Sequence, residues 1–129
     1  MSGPLAGASS GPLVVVGDAL LDKDLDGQVE RLTPEAPAPV VEEPTERARP
    51  GGAALAATLA AAGGHEVVLV TALGGERGEL LRRLLELAGV ELLDLGLAGD
   101  TPEKVRIRAG GHTLLRIDRG ARPQPGRPR

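Results

Sequence analysis

Leu13-Val14-Val15-Val16-Gly17-Asp18 and, further along, Arg49-Pro50-Gly51-Gly52-Ala53-Ala54 decide the fold. The first is an unbroken apolar run that ends in a glycine and an acid. Continuous rather than alternating hydrophobicity marks a strand covered on both faces, so 13–16 is expected as a fully buried strand of a parallel sheet. The second opens a segment in which seven of the ten residues 53–62 are alanine, a composition that favours helix. A carboxylate at the C-terminal end of a strand and a Gly-Gly turn at a helix start are two parts of a site for a polyhydroxylated ligand. In open α/β sheets such sites lie outside the carboxyl ends of the strands. A carboxylate accepts hydrogen bonds from two hydroxyls. Glycine lets a ligand approach the backbone closely, and free helix N–H groups attract anions such as phosphate.

Outward from these stretches, Gly63-Gly64 ends the first helix and 67–70 reads as a second buried strand. A second helix is expected over 76–88. Its polar residues Glu79, Arg82, Arg83 and Glu86 recur at helical spacing, and Leu80, Leu81, Leu84, Leu85 and Leu87 cover the rest. Gly89 stops it, and 90–93 is a third strand. Alternating strands and helices imply parallel pairing through crossover helices, hence an α/β fold. Residues 22–41 show no helical period and hold Pro34, Pro37 and Pro39, so they read as short edge strands and turns outside the core. Residues 42–49 read as charged and exposed. Residues 105–109 and 113–118 flank Gly110-Gly111-His112, a hairpin signal. Gly74-Gly75-Glu76-Arg77-Gly78 matches neither the dinucleotide fingerprint nor a P-loop and reads as a strand-to-helix turn. The Gly/Ser/Ala-rich residues 1–11 and residues 119–129, with four arginines, three prolines and no acid, are expected to be disordered.

Composition narrows the function. The 129 residues suit one domain, and 41% are hydrophobic. With no Phe, Trp or Tyr, the core has to come from Leu, Val, Ala and a few Ile, and no ring is present to stack on a nucleobase. A net charge of −3 gives no surface for polyanions, which argues against nucleic acid. The absence of cysteine excludes disulfides and thiolate metal sites. The only histidines, His65 and His112, lie far apart, which disfavours a metal centre or histidine catalysis. No apolar stretch approaches a membrane span, and the first residues lack a basic region and a long apolar core, so a cytoplasmic protein is expected.

Three segments carry a likeness to a known family: Gly17-Asp18-Ala19-Leu20-Leu21-Asp22, then Arg31-Leu32-Thr33-Pro34-Glu35-Ala36-Pro37-Ala38-Pro39-Val40-Val41, then Arg49-Pro50-Gly51-Gly52-Ala53-Ala54. Thr101-Pro102-Glu103-Lys104-Val105-Arg106 and Leu114-Leu115-Arg116-Ile117-Asp118-Arg119 agree with it. The chain resembles the N-terminal part of the PfkB-type (ribokinase-like) sugar kinases, nearest to the heptose 7-phosphate kinase branch. The likeness implies part of a three-layer α/β fold over 12–118 with a small β lid built from about 23–48 and 104–118. It implies that Asp18 binds sugar hydroxyls, that Gly51 and Gly52 line the same pocket, and that Lys104 and Arg106 lie near the sugar and its phosphate. Asp22 reads as structural or solvated. ATP and Mg2+ are implied as cofactors of the complete family fold, with none assigned to residues of this chain.

The chain also departs from the family pattern. Leu55 stands where the family carries Asn after Gly-Gly-Ala-Ala, Asp24, Leu25 and Asp26 replace aromatic residues, and His112-Thr113 replaces a glutamine pair. The Gly-Ala-Gly-Asp segment that holds the family's catalytic base does not occur, and the family's chains are about twice as long. The expectation is therefore the sugar-binding half of a kinase, inactive alone. The rivals are a sugar-phosphate-binding module, one that complements a separately encoded C-terminal half, a degraded remnant, or an unrelated nucleotide-binding domain. An uncovered sheet edge is expected to promote homodimerisation.

Overall fold

The computed structural model describes residues 11–120; segments 1–10 and 121–129, on which the expectations of terminal disorder mostly fall, lie outside the described residues. The chain runs β1 (Leu13–Val16), β2 (Ala19–Leu32), β3 (Pro39–Gly52), α1 (Ala53–Ala62), β4 (Val67–Thr71), α2 (Gly75–Leu87), β5 (Glu91–Asp94), β6 (Glu103–Ala109) and β7 (His112–Arg119). The strands sort into two sheets. Three are parallel, in the order β1-β4-β5, and α1 and α2 lie in the connections between them. The other four form a sheet ordered β3-β2-β6-β7, antiparallel in its two hairpins and parallel where β2 meets β6. The architecture is α/β with crossover helices, as the alternation of apolar runs implied.

One core joins the two sheets. Val67 and Leu69 of β4 point to the helices and meet Ala54 and Ala57 of α1 and Leu81 and Leu85 of α2. Alanine lets α1 lie close to the strands, and Gly17 allows the same approach, because a Cβ there would sit 3.2 Å from that of Ala53. In α2, Leu81 and Leu85 are fully buried while Leu87 is 86% exposed, so the apolar face is narrower than the leucine count implied.

The reading of 13–16 as fully buried is overturned. Val14 is 56% and Val16 73% exposed. The register aligns them with Val68 and Val70, and Val70 with Leu93, on the sheet face opposite the helices. Among the described residues nothing covers that face. A continuous apolar run records that both faces can be covered, not that both are.

The reading of 22–41 as short strands and turns is also overturned, whereas 42–49 is charged and mostly exposed as expected, although it lies within a strand. β2 and β3 are each 14 residues long. Leu21 enters the core with no exposed surface. Beyond it, most side chains on these strands are polar, so pairing of the backbones and of opposite charges replaces the apolar period that the sequence reading looked for. Pro39, Pro44 and Pro50 fall on β3, the sheet edge, where a missing N–H costs no ladder bond on the outer side. The β6–β7 hairpin turns at Gly110 and Gly111, whose φ values of 57° and 79° suit the tight turn that matches strand twist.

Asp94 ends β5 and organises the loops after it. Its Oδ1 accepts the N–H of Leu73 at 2.9 Å and of Gly96 at 2.8 Å, and Oδ2 meets Arg82 at 2.6 Å. Burial raises this carboxyl, but the two N–H donors and the arginine outweigh it and hold the group below its usual value. Its contribution is therefore present above the ordinary pKa of 3.8 and is lost as pH falls through the lower folded value. Urea melts check this. Asp94→Asn costs about 2 kcal/mol at neutral pH, and the difference from the unaltered protein disappears in strong acid.

Candidate functional site

The end of β1 turns directly into the four-stranded sheet. Gly17 N–H bonds to Val70 O at 3.3 Å, and Ala19 N–H bonds to the buried Thr71 Oγ1 at 3.1 Å. The start of α1 closes against the same turn, since Ala53 N–H donates to Asp18 O at 2.9 Å. No side chain caps the first turn of α1. Gly52 has φ 59°, and a Cβ there would sit 2.6 Å from Asp18 O, so only glycine allows this junction.

The four-stranded sheet has two chemically distinct faces. Its register puts Arg49, Asp22, Lys104 and Asp118 in one row across β3, β2, β6 and β7. Asp24 and Arg106 follow in the next row. Asp22 Oδ1 lies 3.2 Å from Arg106 NH1. Its Oδ2 occupies the space a side chain at Gly51 would need, 2.5 Å from the position of that Cβ. Leu20 Cδ1 lies closer still, so a side chain at Gly51 would have to displace both the Leu20 and the Asp22 side chains.

The structure accordingly brings Gly51, Lys104 and Arg106 together around Asp22. Asp18 stands at the neighbouring turn with an exposed side chain, its carbonyl spent on α1. Asp22 is the residue the sequence reading set aside as structural or solvated. No local signal marks it: that Asp22 shares a face with Leu20 follows from strand alternation, but that this face carries Gly51 and Lys104 follows only from the register. Leu55, in the first turn of α1, is 42% exposed.

The other face of the sheet docks on α2. Glu103 is 2% exposed there, with Lys23 Nζ at 2.8 Å, Arg119 NH1 at 3.8 Å and Arg77 NH1 at 4.0 Å. The Glu103 carboxylate, helped by Glu46, holds the Lys23 ammonium above its usual pKa against the opposing effect of burial. A cleft of about 410 Å³ lies beside this cluster, between Leu21, Lys23 and α2 residues including Arg77 and Leu80. It is on the opposite side of the sheet from Asp22. Its Arg77 is already committed to Thr101 O at 2.6 Å and to Asp100.

The Gly74-Gly75 turn is also committed. Gly74 N–H goes to Thr101 Oγ1 at 3.0 Å and Arg77 N–H to Asp100 Oδ1 at 3.2 Å, so these donors serve the fold and not a phosphate. Among the described residues, no group of three or more His, Cys, Asp or Glu side chains could hold a metal ion, and no helix is long and apolar enough to cross a membrane.

Comparison with known proteins agrees with this architecture. No protein-family model matches the chain. Among solved structures it is similar to a carbohydrate kinase from Agrobacterium tumefaciens, with TM-score 0.66 and 24% identity over 82% of this chain and 34% of that one. It is also similar to a ribokinase from Cryptococcus neoformans solved with ADP, with TM-score 0.61 and 25% identity over 86% of this chain and 34% of that one. The fold is therefore part of the ribokinase-like α/β fold, about a third of the length of those chains.

Sequence relatives narrow the class. The chain is 51% identical over 121 residues to the bifunctional protein HldE of Streptomyces coelicolor, which is 93% of this chain and 26% of that protein. It is 37% identical over 117 residues to the D-beta-D-heptose 7-phosphate kinase of Bordetella bronchiseptica, 88% of this chain and 37% of that enzyme. The chain resembles the N-terminal part of the heptose 7-phosphate kinases and spans between a quarter and two-fifths of the length of these relatives.

Proposed function

We propose that the chain is the sugar-binding part of an ATP-dependent sugar-phosphate kinase of the heptose 7-phosphate type. The observation that carries this is the grouping of Asp22, Lys104 and Arg106 on one sheet face, over Gly51 and beside the Gly17-Asp18 turn. Asp22 accepts hydrogen bonds from sugar hydroxyls, with Asp18 at the edge of the same pocket, and Gly51 and Gly52 let the sugar reach the backbone. Lys104 has no carboxylate within 4.0 Å among the described residues, which leaves it available to the phosphate of a phosphorylated sugar. In the full family reaction the γ-phosphoryl group of ATP moves to a hydroxyl of that sugar. We assign no residue of this chain to ATP or Mg2+, and the chain alone is inactive. The compartment that fits an ATP-dependent reaction is the cytoplasm.

Titration calorimetry with heptose 7-phosphate tests the reading. Asp22→Asn weakens binding about thirtyfold, because a hydrogen bond to a charged group contributes about 2 kcal/mol. Asp18→Ala weakens it less. Binding unaffected by Asp22→Asn would refute the assignment, and ATP-dependent turnover by the chain alone would refute its inactivity.

A second reading is favoured by the uncovered apolar face at Val14, Val16 and Leu93. There the chain pairs with a complementing kinase half or with a second copy of itself. Sedimentation of the same calorimetry sample as a compact monomer at high concentration would rule out the second copy.

A further inference from the structure

The ligand-facing side of the four-stranded sheet carries an ion pair that the sugar-phosphate reading leaves without a role. Arg49 NH2 lies 3.0 Å from Asp24 Oδ2. The two differ in depth: the Asp24 side chain is 7% exposed and the Arg49 side chain 47%. The carboxylate is below and the guanidinium half out. Asp24 Oδ1 is buried with no hydrogen-bond partner. An unpaired buried carboxylate oxygen is costly, and stability alone would favour an apolar side chain at this position.

What the pair does achieve is to orient Arg49. The guanidinium has five N–H donors in a rigid fork, and a single contact from below leaves the others for a group approaching from outside. In sheet register Arg49 and Lys104 flank Asp22 on either side, about 10 Å apart across two strand spacings. Arg49 immediately precedes Pro50-Gly51-Gly52, so its backbone is held by the junction that forms the pocket. In register the two rows through Asp22 and Asp24 hold five cations, Arg47, Arg49, Lys104, Arg106 and Arg116, and three carboxylates, Asp22, Asp24 and Asp118, an excess of two positive charges.

We propose that Arg49 is a further anion-binding residue of this site, taking the phosphate of a phosphorylated sugar in bidentate fashion, and that Asp24 is the positioning residue that aims it. The proposal rests on the sugar-phosphate reading above and assigns it a residue on the β3 side of the pocket, opposite Lys104.

Titration calorimetry on the full chain with two probes, heptose 7-phosphate and the unphosphorylated heptose, separates the possibilities. Arg49→Ala lowers affinity for heptose 7-phosphate at least tenfold and changes affinity for free heptose less than twofold. Arg49→Lys keeps the charge, loses the fork and recovers only part of the loss. Asp24→Asn gives a smaller loss, about fivefold, again confined to the phosphorylated probe, and adds nothing in the Arg49→Ala background. Arg49→Ala leaves the buried Asp24 carboxylate without its cation, so a thermal melt of each variant sets the temperature at which binding is read on folded protein, and Arg49→Ala/Asp24→Asn removes that charge. An unchanged affinity of Arg49→Ala for heptose 7-phosphate overturns the proposal, as does an equal loss for both probes. Additive losses for the two positions overturn the positioning role of Asp24. If the unaltered chain binds neither probe, the underlying sugar-phosphate reading fails.

Discussion

Leu21→Ala lowers the free energy of unfolding by about 3 kcal/mol, within the range for emptying a fully buried leucine site. The side chain has no exposed surface and sits where β2 leaves the turn after β1 and crosses α2. Its N–H is fixed to Pro102 O at 2.9 Å, so the backbone cannot collapse into the vacated volume without releasing β6. The loss falls on the joint between the two sheets. Hydrogen exchange should then show the four-stranded sheet opening at lower cost than the parallel sheet. Urea denaturation measures the first effect and amide exchange the second. A loss under about 1 kcal/mol, the range of a surface substitution, would show that Leu21 does not hold the joint.

Gly52→Ala is expected to be as costly, about 3 kcal/mol, from left-handed backbone strain combined with a clash against a rigid carbonyl. The new Cβ would lie 2.6 Å from Asp18 O, the acceptor of the Ala53 N–H. Relieving the contact moves either the Gly17-Asp18 turn or the start of α1. On the proposed function, sugar-phosphate binding is lost together with stability. Gly64→Ala is the control. Its φ is 95°, but nothing lies within 4 Å of the added Cβ, so it pays only the strain of about 1 kcal/mol. Thermal melts of the two variants compare the terms directly. Equal losses would mean that the Asp18 carbonyl yields easily and that the junction is not rigid.

The two variants also mark which parts of the molecule were legible in the residues. The α1 helix was, because ten residues with seven alanines and flanking Gly-Gly pairs leave little choice. So were β4, α2 and the β6–β7 hairpin, whose apolar periods and turn glycines are local signals. The long strands β2 and β3 were not. Where they reach the core their pairing is held by partners distant in sequence, such as Lys23 with Glu46, Asp24 with Arg49 and, from β6, Lys23 with Glu103. No window of fifteen residues contains both members of these pairs; among the described residues only Arg31 and Glu42, near the turn between the strands, fall within one. The same distance hid Asp22 as a candidate, since nothing near it in sequence shows that its neighbours in space are Gly51 and two strand-borne cations.

By itself the sequence determined the α/β class, the places where the chain must turn and the two glycines of the α1 junction, because backbone freedom and apolar periodicity are local properties. The likeness to ribokinase-like sugar kinases was also carried by contiguous motifs. Only the tertiary structure decided which face of each strand meets the helices, why Val16 is exposed and Leu21 buried, and which acid stands among the cations. Those outcomes depend on strand register, and register places residues far apart in the chain side by side. A shift of one residue would turn Asp22 from the face of Lys104 and Arg106 toward α2.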